Sequence, residues 1–241
     1  EYLNGEPDIV LCFNYYLSII SKNTFPNAKI VYMVCGSPVL TLGKNSCISN
    51  NISANKFLKL EQFEQFIDKK FYELERKSLE SSDYVLFTHE SDLTLNIQKK
   101  LYNQYYEENP NNNICISYSD QFSIEDIPET DLNNDTKKYD LIIIASNWDR
   151  PVKNKQFYKK IFEQYEELNK IVIGNNGDYY KDIKNTTIVG LVSQEEVFDY
   201  LRQSKLLLIC SLFEDGPNIV TEALLCKTNV ITSKNIKNLK Y

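Results

Sequence analysis

KLLLICSLFEDGPNIVTEALLCKTNVITS, residues 205–233, decides the fold class of this chain. KLLLICS is a short, continuous apolar run bounded by polar residues, as a strand buried on both faces requires, and TNVITS (228–233) is a second such run. Between them Gly216 permits a close backbone approach and Pro217 suits the first position of a helix, after which NIVTEALL continues with helix-compatible residues. Two buried strands joined by a helix form a parallel pair with a right-handed crossover. The same stretch sets Glu214 at the mouth of the helix and Glu222 inside it. A helix N-terminus favours anions, so the free N–H groups of the first turn, near Asn218 and Ile219, are candidates to meet a phosphate.

The alternation of strand and helix continues outward in both directions. DLIIIAS (140–146), KIVIG (170–174) and TTIVG (186–190) precede the opening stretch, and DIVLCF (8–13), KIVYMV (29–34), DYVLFT (83–88) and NICISY (113–118) read as strands of the first half. Leu60, Phe63, Ile67, Phe71 and Leu74 recur at helical spacing and predict one long helix. SQEEVFDYLRQS (193–204) predicts another, opened by a capping box between Ser193 and Glu196. The polar segment from Ser119 to Tyr139 lacks strong periodicity and reads as a linker. The expected organisation is therefore α/β, with two Rossmann-like parallel-sheet units, 1–125 and 126–241, facing each other across a cleft. Ligands of such sheets sit beyond the carboxyl ends of the strands.

Composition narrows the function. Hydrophobic residues make up 42% and charged residues 25%, an ordinary globular balance. A net charge of -6 argues against a general nucleic-acid binder, whose phosphate contacts need surplus Lys and Arg. Six cysteines without CxxC spacing read as buried free thiols of a reducing compartment. With no signal peptide and no apolar run of about 18 residues, the expected location is the cytoplasm. Lys69, Lys70, Arg76 and Lys77 form a basic cluster open to peripheral membrane contact, although a solvated helix face is the plainer reading. Because the chain starts at Glu1 and only a short polar tail follows Ser233, both units are expected to be incomplete parts of a longer chain.

Three blocks resemble one family. FEDGPNIVTEALLCKTNVITS looks like the signature of the retaining glycosyltransferases of family 4, also called group 1, which have the two-Rossmann GT-B fold. IIIASNWDRPVKN (142–154) is similar to the first strand and loop of that family's donor domain, and TTIVGLVSQEEVFDYLRQSKLLLICS to the strand, Gly turn, helix and strand before the signature. The resemblance spans residues 140–233 and implies transfer of a sugar, in glycan biosynthesis, from a UDP- or GDP-type nucleotide-sugar to a glycan, lipid or protein acceptor. It implies that Glu214 stabilises positive charge at the anomeric carbon and that Arg150 and Lys153 neutralise the diphosphate, with Lys155 the alternative to Lys153. Glu222 would hold the ribose, the backbone of Gly190, Leu191 and Val192 would border the base, and the amides of residues 216–219 would hold the phosphates. The resemblance implies neither a metal nor a cofactor beyond the nucleotide-sugar co-substrate.

The first half departs from that pattern. Where many members carry a His after the strand matching KIVYMV, this chain has Cys35, Gly36 and Ser37. Its single histidine, His89, follows the next strand and reads either as a cleft residue or as a helix cap. A non-catalytic nucleotide-sugar binding protein or inactive remnant of the fold is thus the alternative. A sugar-nucleotide epimerase or phosphorylase, or a doubly wound domain with an unrelated ligand, stands behind it. Without the flanking blocks, Glu214 and Glu222 would read as ordinary residues of a helix N-terminus.

Overall fold

The computed structural model describes residues 5–34, 36–87, 93–115, 137–215, 217–234 and 236–237. Cys35, His89, Gly216 and nearly all of the expected linker lie outside the described residues. The chain divides into two compact units, Glu1–Tyr118 and Ser119–Leu239. It is α/β, with a parallel sheet in each unit.

The first unit contains β1 (Ile9–Cys12), β2 (Lys29–Met33), β3 (Tyr84–Phe87) and β4 (Asn113–Cys115), paired in that order and all parallel. Its helices are α1 (Leu17–Thr24), α2 (Pro38–Thr41), α3 (Ala54–Leu58), α4 (Lys69–Glu80), α5 (Leu93–Leu101) and α6 (Asn103–Glu108). The single helix expected from the period of residues 60 to 74 is not formed. A short 3-10 turn, Glu64–Phe66, intervenes, and α4 begins only after Asp68, whose side chain accepts a hydrogen bond from the Lys70 amide at 3.1 Å. Asp68 is an effective N-cap, and Phe63 packs edge-on against Phe57 of α3, so the apolar residues of this stretch are half-buried without a continuous helix.

The second unit contains β5 (Tyr139–Asn147), β6 (Lys170–Asn175), β7 (Thr186–Gly190), β8 (Ser204–Ile209) and β10 (Asn229–Thr232), in the spatial order β10-β8-β5-β6-β7. Two short strands, β9 (Glu214–Asp215) and β11 (Ile236–Lys237), pair with each other. The helices are α7 (Lys155–Gln164), α8 (Gln194–Arg202) and α9 (Asn218–Leu225). Alternate residues of the sheet feed two cores, as strands covered on both faces require. Ile142, Ile171, Ile173, Leu207 and Ile209 pack with Val197, Phe198 and Leu201 of α8 and with Val220 and Ala223 of α9. Leu141, Ile143, Val172 and Leu208 pack on the other face with Tyr158 and Phe162 of α7 and with Tyr180. Four cysteines, Cys12, Cys47, Cys210 and Cys226, are buried free thiols. Among the described residues no helix is long and apolar enough to cross a membrane.

Candidate functional site

The order of the second sheet creates a switch point. From β5 the chain moves outward through β6 to β7, then returns to β8 on the opposite side of β5. The loops leaving β5 and β8 at their carboxyl ends consequently turn to opposite faces of the sheet, which leaves a crevice between them.

The loop after β5 is pinned at both ends. Asn147 Oδ1 accepts from the Asp149 amide at 2.8 Å and from Asn176 Nδ2 at 2.9 Å. Trp148, fully buried, donates its indole N–H to the Ile173 carbonyl at 3.0 Å and meets Tyr158 and Tyr180 edge-on. At the far end Asn154 sits in the left-handed region and donates from Nδ2 to the Cys210 carbonyl at 2.9 Å. The Leu212 amide donates to the Val152 carbonyl at 2.8 Å, so the loops after β5 and β8 are stitched together by backbone as well. Tyr158 supports the junction by accepting from the Cys210 amide at 2.6 Å.

Across this junction Lys153 forms an ion pair with Glu214. Ser211 Oγ also donates to the same carboxylate oxygen, at 3.2 Å. Both charged side chains are about one-fifth exposed, so the pair is sheltered yet reachable from solvent. Arg150 is exposed at the entry to the 3-10 turn Pro151–Lys153 and makes no ion pair with a described residue. Lys155 points elsewhere: it pairs with Asp149 and lies over the Tyr179 ring. Of the two lysines named from sequence, Lys153 is the one at Glu214.

Glu222 lies in α9, buried, where its carboxylate accepts from Gln194 Nε2 at 2.9 Å. Burial raises its carboxyl above the usual carboxylate range, and the Gln194 hydrogen bond offsets part of that rise. Gln194 is the first residue of α8, so the contact joins the N-terminal turn of that helix to α9. The turn feeding α8 is Gly190 at φ +83°, the exposed Leu191 and the half-buried Val192, which packs against the core. Pro217 occupies the position just before α9 rather than its first residue, and Asn218 and Ile219 form its half-buried first turn.

Arg150, Lys153, Glu214, Glu222 and the turn 190–192 thus all lie at the carboxyl ends of β5, β8 and β7. Gln194 and Ser211, which hold the two glutamates, were not expected from sequence; a lone Gln or Ser carries no signal of its tertiary partner. Among the described residues no three His, Cys, Asp or Glu side chains converge in a way that could hold a metal ion.

No protein-family model and no curated protein matches the chain. Solved structures do. The chain is similar to sucrose-phosphate synthase (tll1590) from Thermosynechococcus elongatus, with a TM-score of 0.63 and 14% identity over 94% of this chain and 56% of that one. It is similar to the pneumococcal O-GlcNAc transferase GtfA in complex with UDP and GlcNAc, with a TM-score of 0.60 and 12% identity over 95% of this chain and 42% of that one. Anabaena Alr3699/HepE in complex with UDP and glucose gives 0.57 and 12%, over 94% and 59%. The chain therefore spans about half the length of the structures it matches. At such identities the likeness is one of architecture, and the α/β chain with its two parallel sheets has a GT-B-like glycosyltransferase fold.

Proposed function

We propose that the second unit is the donor-binding part of a glycosyltransferase that moves a sugar from a nucleotide-diphosphate sugar to an acceptor with retention at the anomeric carbon. The observation that carries this reading is the Lys153–Glu214 pair, which joins the loops after β5 and β8 at the switch point of the sheet. An ammonium has three donors, so Lys153 can hold Glu214 with one and a diphosphate oxygen with another. Charge that develops on the departing diphosphate would meet Lys153 and the exposed Arg150 without rearrangement of the loop. Glu214, held by Lys153 and Ser211, would stabilise positive charge at the anomeric carbon.

Glu222 is suited to a ribose. Its carboxylate is held by a neutral amide, not a cation, and keeps acceptor capacity for sugar hydroxyls. The turn 190–192 would border the base through its backbone, and the first turn of α9 would face the phosphates. UDP is the first nucleotide to test, because two of the similar structures hold it; GDP is the next. The acceptor, a glycan, lipid or protein, would be bound by the first unit, and the work would be done in the cytoplasm.

Thermal unfolding with UDP, GDP or ADP tests the donor site. A ligand at one hundred times its dissociation constant adds about 2.7 kcal/mol to the folded state. One diphosphate is expected to raise the unfolding temperature of the wild type, with the shift lost in Glu222→Ala. If none of the three shifts the wild type, the chain has the fold without a working donor site and the proposal fails.

A further inference from the structure

The two glutamates of the crevice are held by different chemistry. Glu214 is gripped by a cation, Lys153, whereas Glu222 is held by a neutral amide, with Gln194 Nε2 donating to its Oε1 at 2.9 Å. Glu222 is 8% exposed, and burial raises its carboxyl while the Gln194 hydrogen bond works against that rise. The titratable group beside it is Cys226, one turn further along α9, whose thiol burial pushes up to about 11, so that it is uncharged near neutrality. Asp199 and Arg202 of α8 pair with each other, and their charges and that of Lys137 bear on this thiol.

The position of Gln194 is fixed twice over. It is the first residue of α8 and follows directly on Ser193, whose capping box with Glu196 sets where the helix starts. Further along, Val197, Phe198 and Leu201 pack in one core with Val220 and Ala223 of α9, so the two helices keep their register. The Gln194 amide therefore orients one oxygen of Glu222 and leaves the charge of the carboxylate unneutralised. An ionised carboxylate has about four acceptor sites on its two oxygens, of which Gln194 fills one. The remainder suits two adjacent hydroxyls, such as those on the 2′ and 3′ carbons of a ribose.

We propose that Gln194 determines specificity at this site: by fixing one oxygen of Glu222 it holds the carboxylate square to a vicinal diol, so the site takes ribonucleoside diphosphates and rejects their 2′-deoxy counterparts. The proposal rests on the donor-site reading of Glu222 and names the residue and the sugar chemistry that set the choice. A 2′-deoxy ligand leaves an acceptor of a buried carboxylate unpaired, which weakens its binding. Without the Gln194 amide the carboxylate loses its fixed orientation and takes up a proton at higher pH. Both nucleotides then meet a poorer acceptor, and the difference between them shrinks.

Calorimetric titration of the 241-residue chain with UDP and with 2′-deoxy-UDP tests this, or with GDP or ADP and its 2′-deoxy form where that is the diphosphate bound. Wild type is expected to bind the ribonucleotide at least about tenfold more tightly. Gln194→Met, which keeps the length of the side chain but donates nothing, should cut that ratio at least about threefold near neutral pH. The pH profile is a second readout, one that packing alone does not move. Glu222 becomes protonated as pH falls, so the wild-type preference should fade towards acid, and in Gln194→Met it should fade at a higher pH. Protonation of the diphosphate is common to both ligands and cancels in the ratio. Equal affinities of wild type for the two nucleotides would overturn the inference while leaving the donor site in place, and that comparison needs no variant to fold. A ratio that Gln194→Met leaves unchanged at every pH would overturn it as well, and would mark Gln194 as a residue that only joins α8 to α9. Failure of UDP, GDP and ADP alike to bind wild type would remove the donor site and this inference with it.

Discussion

At Gly174 the backbone has φ +123°, and a Cβ built there would sit 1.6 Å from the Ala145 carbonyl oxygen. That oxygen and the Ala145 carbonyl carbon, 2.8 Å away, are both backbone, so neither can swing aside. Gly174→Ala should therefore cost on the order of 3 kcal/mol or more in chemical denaturation, and a loss within about 1 kcal/mol would contradict the close packing of β5 on β6. Glu75 of α4 makes a different demand. It is fully buried, accepts from Gln98 Nε2 at 2.8 Å, the Tyr102 hydroxyl at 2.9 Å and the Ser37 hydroxyl at 3.2 Å, and burial pushes its carboxyl up to about 7. All three side-chain donors are neutral, so no cation offsets the desolvation of the carboxylate. Since its folded value lies above its unfolded value of about 4.5, its stabilising contribution is complete below the latter and is lost as pH rises towards 7. The neutral Glu75→Gln variant should lack this loss, gaining on the order of 3 kcal/mol on wild type between pH 4.5 and 8. Parallel pH dependences of the two unfolding free energies would refute the assignment. Glu75 was invisible in the sequence because its partners lie 23, 27 and 38 residues away. Glu214 and Glu222 stood out because the local strand, turn and helix pattern framed them.

Among the elements, strands were the most legible. Each apolar run read as a strand forms one, since parallel strands covered by helices need continuous apolar sequence rather than alternation. The stretch 60–74 misled because a helical period records burial but not continuity, and Asp68 restarts the helix in its midst. Helix α8 was legible from its cap. Ser193 Oγ accepts from the Glu196 amide at 3.3 Å, and the Glu196 carboxylate accepts from the Ser193 amide at 2.9 Å, a closed capping box. Ser193→Ala should cost about 1 kcal/mol in unfolding free energy. Because Gln194 follows directly and holds Glu222, the same substitution should also weaken any nucleotide-induced thermal shift. An unchanged shift beside reduced stability would separate the cap from the site. The C-terminal end of α7 depends on a side-chain device that no propensity reveals. Lys170, buried at the start of β6, donates to the Tyr165 and Leu168 carbonyls at 2.9 and 2.8 Å and also to Glu166, closing the turn between α7 and β6.

For the molecule as a whole, the contrast between a sheet wound in both directions and one wound in a single direction sets where a nucleotide can be expected to act. Only the second sheet has a switch point within the described residues, and only there do a Lys–Glu pair, a buried Glu and the N-terminal turns of two helices gather at strand ends. Binding at that crevice should order the loops that form it and leave strands already in the core unchanged. Hydrogen exchange with and without saturating UDP should then show added protection in residues 149–155, 190–196 and 211–222. The first sheet, β1 to β4, should exchange at the same rate in both conditions, because no residue of the proposed donor site belongs to it. Added salt should shrink the effect, since the attraction between Arg150, Lys153 and a diphosphate is partly screened at the exposed end of the loop. Protection spread evenly over both sheets would indicate general stiffening rather than a local site. Protection confined to the turns of the first sheet would move the nucleotide out of the second unit altogether and remove the basis for giving Glu214 and Lys153 a part in sugar transfer.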